Sequence, residues 1–171
     1  MILVRLILIL GSFAIVQMTA VAESHDLLEI RITQGVEGAL PIAIVPFNWE
    51  ADIPNRVHVS SVVAADLQGS GRFSPIPAED LPSRPASFSD INFKDWRLLG
   101  VDNLVIGQVK KNHADQFTIE FRVIDVISAT QLAGFRIPTK KKNLRLTAHY
   151  VSDLIFEAIL KVKGAFATRI A

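Results

Sequence analysis

The sequence predicts an α/β (α+β) fold, in which helices pack on one face of a mixed β-sheet that contains an antiparallel meander. Residues 40–47 (LPIAIVPF) form a nearly continuous apolar run, which is typical of a strand covered on both faces. Three later segments alternate apolar and polar side chains between short turn sequences, as in a meander with one solvated face. Residues 144–162 carry an apolar stripe at helical spacing. Strands and helices in this mixture predict one sheet with helices packed against it.

The predicted elements follow the order β-β-α-β-α-β-β-β-α. The first strand covers 27–33, where Leu28, Ile30 and Ile32 alternate with polar residues. The second strand is the apolar run 40–47. A helix capped by Asn55 continues to about Gln68 and is followed by a short strand at 73–76.

A proline-rich loop divides the chain in its middle. Four prolines between residues 75 and 85 exclude regular structure there. A short helix at 93–99 follows and contains Trp96. The three meander strands are predicted at 103–111, 117–126 and 131–138, and the last helix at 144–162 has Gly164 in its capping position.

The charge and cysteine content exclude several classes of function. The chain carries 18 Lys and Arg residues against 17 Asp and Glu residues. Arg5 is the one charged residue of segment 1–22, so the remainder is neutral and has no bulk field to attract nucleic acid or an anionic bilayer. The absence of cysteine excludes disulfides and thiolate metal sites.

Segment 1–22 has the organisation of a signal peptide. Arg5 precedes an apolar run, and the segment closes with Ala20-Val21-Ala22, a small-x-small cleavage pattern. We expect cleavage between Ala22 and Glu23, which places the protein beyond the inner membrane. The alternative is an uncleaved anchor, which needs about 20 apolar residues. The run here is shorter.

Candidate catalytic and metal-binding residues are few. The four histidines (His25, His58, His113 and His149) form no metal-ligand spacing. His149 and Asp153 lie one helical turn apart, and we expect a structural pair at the surface or core edge rather than a catalytic dyad. No nucleophile motif or phosphate-binding loop occurs. The sequence therefore predicts no enzyme, no cofactor and no metal.

Two other segments are candidates for binding. Lys140, Lys141 and Lys142 form the one charge run, which we expect to be a solvated loop; contact with anionic lipid headgroups is the alternative. Residues 23–28 (ESHDLL) form a polar terminus that leads into the first strand. Such a terminus either docks on a partner by strand addition or remains a frayed end.

From Leu28 onward the chain resembles the amino-terminal domain of the TolB family of the Tol-Pal system in Gram-negative bacteria. The resemblance rests on blocks whose order and spacing extend over the whole of 23–171. They are IRI at 30–32, PIAIVPF at 41–47, Trp96, GVDNLVIG at 100–107, FRVIDV at 121–126, AH at 148–149, DLIFE at 153–157 and GAFATRIA at 164–171.

The resemblance implies a domain organisation and a set of partners. In the family, this α/β domain is followed by a six-bladed β-propeller, which carries most of the contact with the lipoprotein Pal. The sequence ends at Ala171, before any propeller. We therefore expect 23–171 to be the α/β domain alone and Pal binding to be in doubt. The family's mature amino terminus binds the inner-membrane protein TolA, and the matching residues are Glu23, Ser24, His25, Asp26, Leu27, Leu28, Glu29, Ile30, Arg31, Ile32 and Thr33.

Three functional hypotheses follow. The first is a periplasmic interaction component of the Tol-Pal system, which by resemblance supports outer-membrane invagination during cell division, envelope integrity and protein import such as bacteriocin uptake. The second is a free-standing periplasmic domain that binds a small ligand or lipid, with the proline-rich loop covering a pocket. The third is a hydrolase that uses His149 and Asp153, which the lack of a nucleophile motif disfavours.

Overall fold

The computed structural model describes residues 38–50 and 57–168, all of which belong to one unit of the chain, Gln34–Ala171. The predicted signal segment 1–22, the predicted strand 27–33 and Asn55 lie outside the described residues. The helix predicted to be capped by Asn55 begins at Val59 instead, with His58 in the N-cap position. The described strands and α-helices are β1 (Leu40–Ile44), β2 (Asn48–Trp49), α1 (Val59–Gly69), β3 (Phe73–Pro75), α2 (Phe93–Leu98), β4 (Asn103–His113), β5 (Gln116–Asp125), β6 (Thr130–Lys140) and α3 (Leu144–Leu160).

The described strands form one mixed sheet in the order β3-β1-β4-β5-β6, and β2 pairs with β4 further along the same side as β1. β1 runs parallel to both β3 and β4. Strands that run in the same direction need a long connection between them. α1 lies in the connection from β1 to β3, and the proline-rich loop and α2 form the connection from β3 to β4. β4, β5 and β6 form the antiparallel meander, in which Gly107 lies opposite Phe121 and Phe121 opposite Phe135. The predicted α+β class with its meander is confirmed.

The larger core lies on one side of the sheet, which we call the helix face. Strand alternation directs Ile42 and Ile44 of β1 to this side, together with the apolar residues at odd-numbered positions of β5. α1 and α3 cover it, because each helix presents buried side chains one turn apart, such as Val59 and Val63 in α1.

A smaller core lies on the opposite side, which we call the loop face. Ala43 of β1 and Val45 directly after the strand lie on this side and pack in one cluster with Trp96, which is fully buried. The proline-rich loop contributes Ile76 and Leu81 at its margin. The arrangement of helices on one face therefore holds for α1 and α3, whereas the short α2 lies on the other face.

Three predicted boundaries are corrected by the structure. The strand predicted at 40–47 ends at Ile44, and residues 45–47 connect it to β2. β4 continues to His113, so the turn between β4 and β5 is reduced to Ala114 and Asp115. α3 ends at Leu160 rather than near Val162, and Lys161, not Gly164, adopts the left-handed capping conformation with φ of 60°. The helix stops there because the chain turns back to pack Phe166 against the helix-face core.

None of the helices in the described part of the chain combines the length and the hydrophobicity that a membrane span requires.

Candidate interaction surfaces

The predicted partner site, residues 23–33, and the predicted cleavage site between Ala22 and Glu23 lie outside the described residues. The described residues begin at Gly38, whose φ of 107° is a backbone conformation that favours glycine. The site assigned from the sequence therefore stays a prediction. The described domain presents five further features that could have a functional role: one polar cluster between helices, one carboxylate that holds the carboxyl-terminal segment, one ionic cluster, one cavity beside it and one groove.

The buried polar cluster joins the two long helices through one carboxylate oxygen. Asp66 of α1 accepts a hydrogen bond from the Ser152 hydroxyl at 2.7 Å, and its Oδ2 lies 2.8 Å from Nδ1 of His149. Ser152 is fully buried, and the side chains of Asp66 and His149 are 16% and 25% exposed. A carboxylate at this depth requires such donors, since an unpaired charge there would be destabilising.

This geometry corrects the predicted pairing of His149 with Asp153. Sequence spacing brings those two residues to one face of α3, but the tertiary packing of α1 places Asp66 closer to the imidazole. The cluster also lacks the order of a catalytic triad, because the single hydroxyl proton of Ser152 points to the carboxylate at 2.7 Å, with the Ala148 carbonyl as a more distant acceptor at 3.2 Å, rather than to the imidazole. Its arrangement is that of a structural link between helices.

Asp153 instead holds the segment that follows α3. Its carboxylate accepts the backbone N–H of Phe166 at 2.7 Å and that of Ala167 at 3.2 Å. Gly164 packs directly on Asp153, where an added Cβ would lie 2.6 Å from Oδ1 and 2.7 Å from Cα. The Phe166 ring meets that of Phe156 edge-on at 5.6 Å. These contacts bind the carboxyl-terminal segment to the last helix, at the margin of the helix-face core.

An ionic cluster occupies the exposed part of the loop face, where the meander extends beyond the proline-rich loop. Glu120 of β5 pairs with Arg136 of β6 at 2.8 Å and with Lys110 of β4 at 3.2 Å. It also accepts a hydrogen bond from the Gln108 amide at 2.8 Å. We call these four residues the Glu120 cluster. The three strands present them side by side because alternate residues of paired strands share a face.

The balance of these contacts keeps Glu120 ionised. Partial burial raises the pKa of its carboxyl, but the hydrogen bonds from Lys110 and Gln108 and the charges of Arg136 and Lys110 outweigh that effect. The pKa of Glu120 therefore lies below the usual value for a glutamate.

A cavity of about 430 Å³ lies beside the Glu120 cluster and reaches the end of the proline-rich loop. Ala86 and Ser87 of that loop line one side, and Arg122 and Gln131 line another. Its volume is in the range of small-molecule sites, although its lining is polar and open. Among the described residues, no three histidine, aspartate or glutamate side chains come together as a metal site.

A larger groove of about 790 Å³ opens at the amino-terminal end of α3, and we call it the helix-end groove. Its apolar lining comes from Phe117, Ile137, Leu146 and Tyr150, and its cationic lining from Lys140 and Lys142. Tyr150 and Leu146 are 46% and 36% exposed, so both side chains are accessible from the groove.

The tertiary structure assembles features that sequence patterns did not identify. The Glu120 cluster joins three strands, and the Asp66 link joins helices that are more than 80 residues apart in the chain. One sequence signal was available for the helix-end groove: no aspartate or glutamate occurs between Asp125 and Asp153, although the same stretch contains Arg136, Arg145 and the lysine run. As expected, the three lysines are exposed and precede the last helix.

Comparisons with known proteins agree on one family. The model of the TolB amino-terminal domain matches residues 28–132. The Tol-Pal system protein TolB of Nitrosococcus oceani is 49% identical over 144 residues, which are 84% of this chain and 33% of the relative. The protein of the same name from Thioalkalivibrio sulfidiphilus is 46% identical over 145 residues, again 84% and 33% of the two chains.

A solved structure is also similar. The crystal structure of TolB from Acinetobacter baumannii aligns with a TM-score of 0.64 and 31% identity, and the alignment covers 75% of this chain and 30% of that one. The chain thus spans about one third of the length of the curated relatives it matches.

Proposed function

The chain belongs to the TolB family, and from this premise we propose that it is a non-enzymatic, periplasmic interaction component of a Tol-Pal system. The observation that carries the proposal is the family match over 28–132 together with relatives named Tol-Pal system protein TolB. By the same resemblance, its role is in outer-membrane invagination during division, in envelope integrity and in the import of bacteriocins.

The lack of an assembled catalytic group supports a role in binding rather than in catalysis. Within the described residues, the one contact between serine, histidine and aspartate has its members in an order that does not activate the hydroxyl. The hydrolase hypothesis relied on His149 and Asp153, which face different partners in the structure.

We further propose that residues 23–33 bind TolA by strand addition. The support is the polar stretch at 23–28, the alternation of Leu28, Ile30 and Ile32 after it, and the correspondence with the segment that binds TolA in the family. Strand addition derives its affinity from backbone hydrogen bonds and its specificity from alternate side chains.

Calorimetric titration of the TolA carboxy-terminal domain tests this proposal. Deletion of 23–28 should abolish binding, and Leu28→Pro should weaken it more than Asp26→Ala because proline removes a backbone donor. Far-UV circular dichroism should show an intact fold in every variant. Undiminished binding by the deleted protein would contradict the proposed site.

Export has its own test. If 1–22 is a cleaved signal peptide, the protein recovered from the periplasm has Glu23 as its first residue, which intact mass spectrometry determines. A mass that includes 1–22 would favour a membrane-tethered protein.

Pal binding is a weaker expectation, since the family's contact with Pal lies mainly on the propeller.

The alternative function, binding of a small ligand or lipid, is favoured by one observation. The loop-face cavity is bounded by the proline-rich loop, as a covered pocket would be. Organic extraction of the purified protein followed by mass spectrometry tests this alternative. A stoichiometric lipid would support it, whereas extracts identical to the buffer blank would remove it.

A further inference from the structure

The helix-end groove combines an apolar lining with two cationic side chains. Phe117 and Ile137 come from the meander, and Leu146 and Tyr150 from the first turns of α3. Tyr150 follows Leu146 by four positions, so the two side chains lie on one face of the helix. Both side chains are partly exposed. Large apolar side chains on a concave surface are a common feature of protein-binding sites.

The two charged side chains that line this groove, Lys140 and Lys142, are both cationic. The same two lysines also line an adjoining cavity with Lys141 and one carboxylate, Asp115, and Arg145 lies in the first turn of α3. Among the described residues, none of these four cations has a carboxylate within ion-pair distance. Because the chain beyond residue 22 is neutral overall, this concentration of cations is local to the groove.

The groove also adjoins an edge of the sheet. β6 pairs with β5 on one side, and no described strand pairs with its other side. Pro138, Thr139 and Lys140 at the end of β6 line the groove, so an extended chain lying in it would pass beside this edge. Proline and lysine on an edge strand limit indiscriminate strand pairing, so the side-chain contacts of the groove must supply most of the affinity for a partner.

We propose that the helix-end groove is a second docking site, which takes an acidic, extended segment of a protein partner with apolar anchor residues. The acidic side chains complement Lys140 and Lys142, and an apolar anchor enters between Leu146 and Tyr150. A bilayer fits the geometry less well, because the apolar side chains line a concavity instead of projecting from a convex surface. The proposal concerns residues other than 23–33, so its failure and the failure of the proposed TolA site are distinguishable.

The test uses two synthetic peptides of the same length as β6, one alternating leucine with glutamate and the other alternating leucine with lysine. Binding to the full chain is followed by amide chemical-shift changes and by fluorescence anisotropy of labelled peptide. We expect the acidic peptide to bind, with shifts concentrated at the end of β6 and the start of α3. We also expect its affinity to fall as salt is added.

Substitutions identify the surface. Lys140→Glu combined with Lys142→Glu should weaken binding about tenfold or more, and Tyr150→Ala about fivefold or more, as expected for the charged rim and the anchor of an interface. The matched control is Lys94→Glu, an exposed lysine on α2 at the other face of the sheet, which should change affinity less than about twofold. Urea midpoints verify that each variant folds, and Lys142→Gln replaces the double variant if that variant does not.

Several outcomes would overturn the proposal. They are absence of binding by the acidic peptide, equal binding by the lysine peptide, and equal loss of binding in Lys94→Glu. Binding to vesicles of phosphatidylglycerol and phosphatidylethanolamine in equal parts is measured as the last part of the test, to distinguish a membrane contact from a protein contact. If these vesicles bind the protein through Lys140 and Lys142 while the peptide does not, the groove is a membrane contact instead.

Discussion

Asp66 of α1 links this helix to α3 through hydrogen bonds. A single oxygen of its carboxylate meets both the buried Ser152 hydroxyl and the His149 imidazole. Removal of the carboxylate leaves the serine hydroxyl with the Ala148 carbonyl as its remaining partner. The cost of leaving buried polar groups partly unsatisfied commonly exceeds the net gain from the bonds themselves.

We therefore expect Asp66→Ala to lower the free energy of unfolding by about 1–3 kcal/mol. Asp66→Asn should cost less, because its amide oxygen still accepts one hydrogen bond. Urea unfolding measures both, with the exposed Asp80→Ala as the control. Equal midpoints for Asp66→Ala and the control would show that the link contributes nothing.

Glu120 gives a prediction about pH. Its pKa in the folded protein is lowered, so it contributes stability above the pKa it has in the unfolded chain, and this contribution disappears as pH falls through the folded value. Glu120→Gln should cost about 0.5–1 kcal/mol near neutral pH, a modest value because Arg136 is largely exposed. The difference from the wild type should shrink as pH falls below the usual glutamate range.

Urea midpoints measured across the acid range for wild type and Glu120→Gln test this expectation. Glu79→Gln is a suitable control, since Glu79 is exposed and forms no ion pair within the described residues. A difference that stays constant down to strongly acid pH would indicate that the ionic contacts of Glu120 are not its source.

At the scale of elements, α3 has two roles. It covers the sheet, and its Asp153 holds the segment that follows the helix. The contact depends on Gly164, which allows the backbone to approach Asp153 at a distance that no side chain permits. Phe156 continues the link inward, since its ring also meets Phe73 of β3 edge-on at 5.8 Å. A row of aromatic rings thus connects the carboxyl-terminal segment to a core strand.

Gly164→Ala should release this segment. The new methyl group would overlap backbone as well as side-chain atoms of Asp153, and such overpacking typically costs about 1–3 kcal/mol. We expect the amides of Phe166 and Ala167 to exchange faster with solvent, while the β5 amides keep their protection relative to global stability. Gly69→Ala is the control, since an added Cβ there meets no atom within 4 Å.

At the scale of the whole molecule, one sheet lies between two cores and contributes side chains to both. β1, β4 and β5 contribute side chains to both faces, so loss of either core should disrupt the other. The two tryptophans report on different faces: Trp96 is buried in the loop face, and Trp49 packs edge-on against Phe117 on the helix face. The domain is therefore expected to unfold as one cooperative unit.

Single-tryptophan variants test this cooperativity. In Trp49→Phe, the fluorescence of Trp96 should change at the same urea concentration as far-UV circular dichroism, and the same agreement should hold for Trp49 in Trp96→Phe. Trp96→Phe should be the less stable of the two, because it opens a cavity in the smaller core. Non-coincident transitions in either variant would mean that the two faces unfold separately.

The sequence by itself determined the class of fold, most of the described elements and the family, whereas it did not predict β2, and the strand predicted at 27–33 stays a prediction. Strand and helix periodicity are local, so the meander, the run at residues 40–47 and the last helix could be identified without coordinates. The family followed from blocks such as GVDNLVIG, whose order and spacing persist along the chain.

Only the tertiary structure decided the partners of individual side chains. Local spacing favoured His149 with Asp153, but the packing of α1 against α3 brought Asp66 to His149 and left Asp153 for the carboxyl-terminal segment. The placement of α2 on the loop face, the Glu120 cluster and the helix-end groove have the same origin. Each depends on contacts between elements distant in sequence, and a one-dimensional period carries no information about which distant element covers which face.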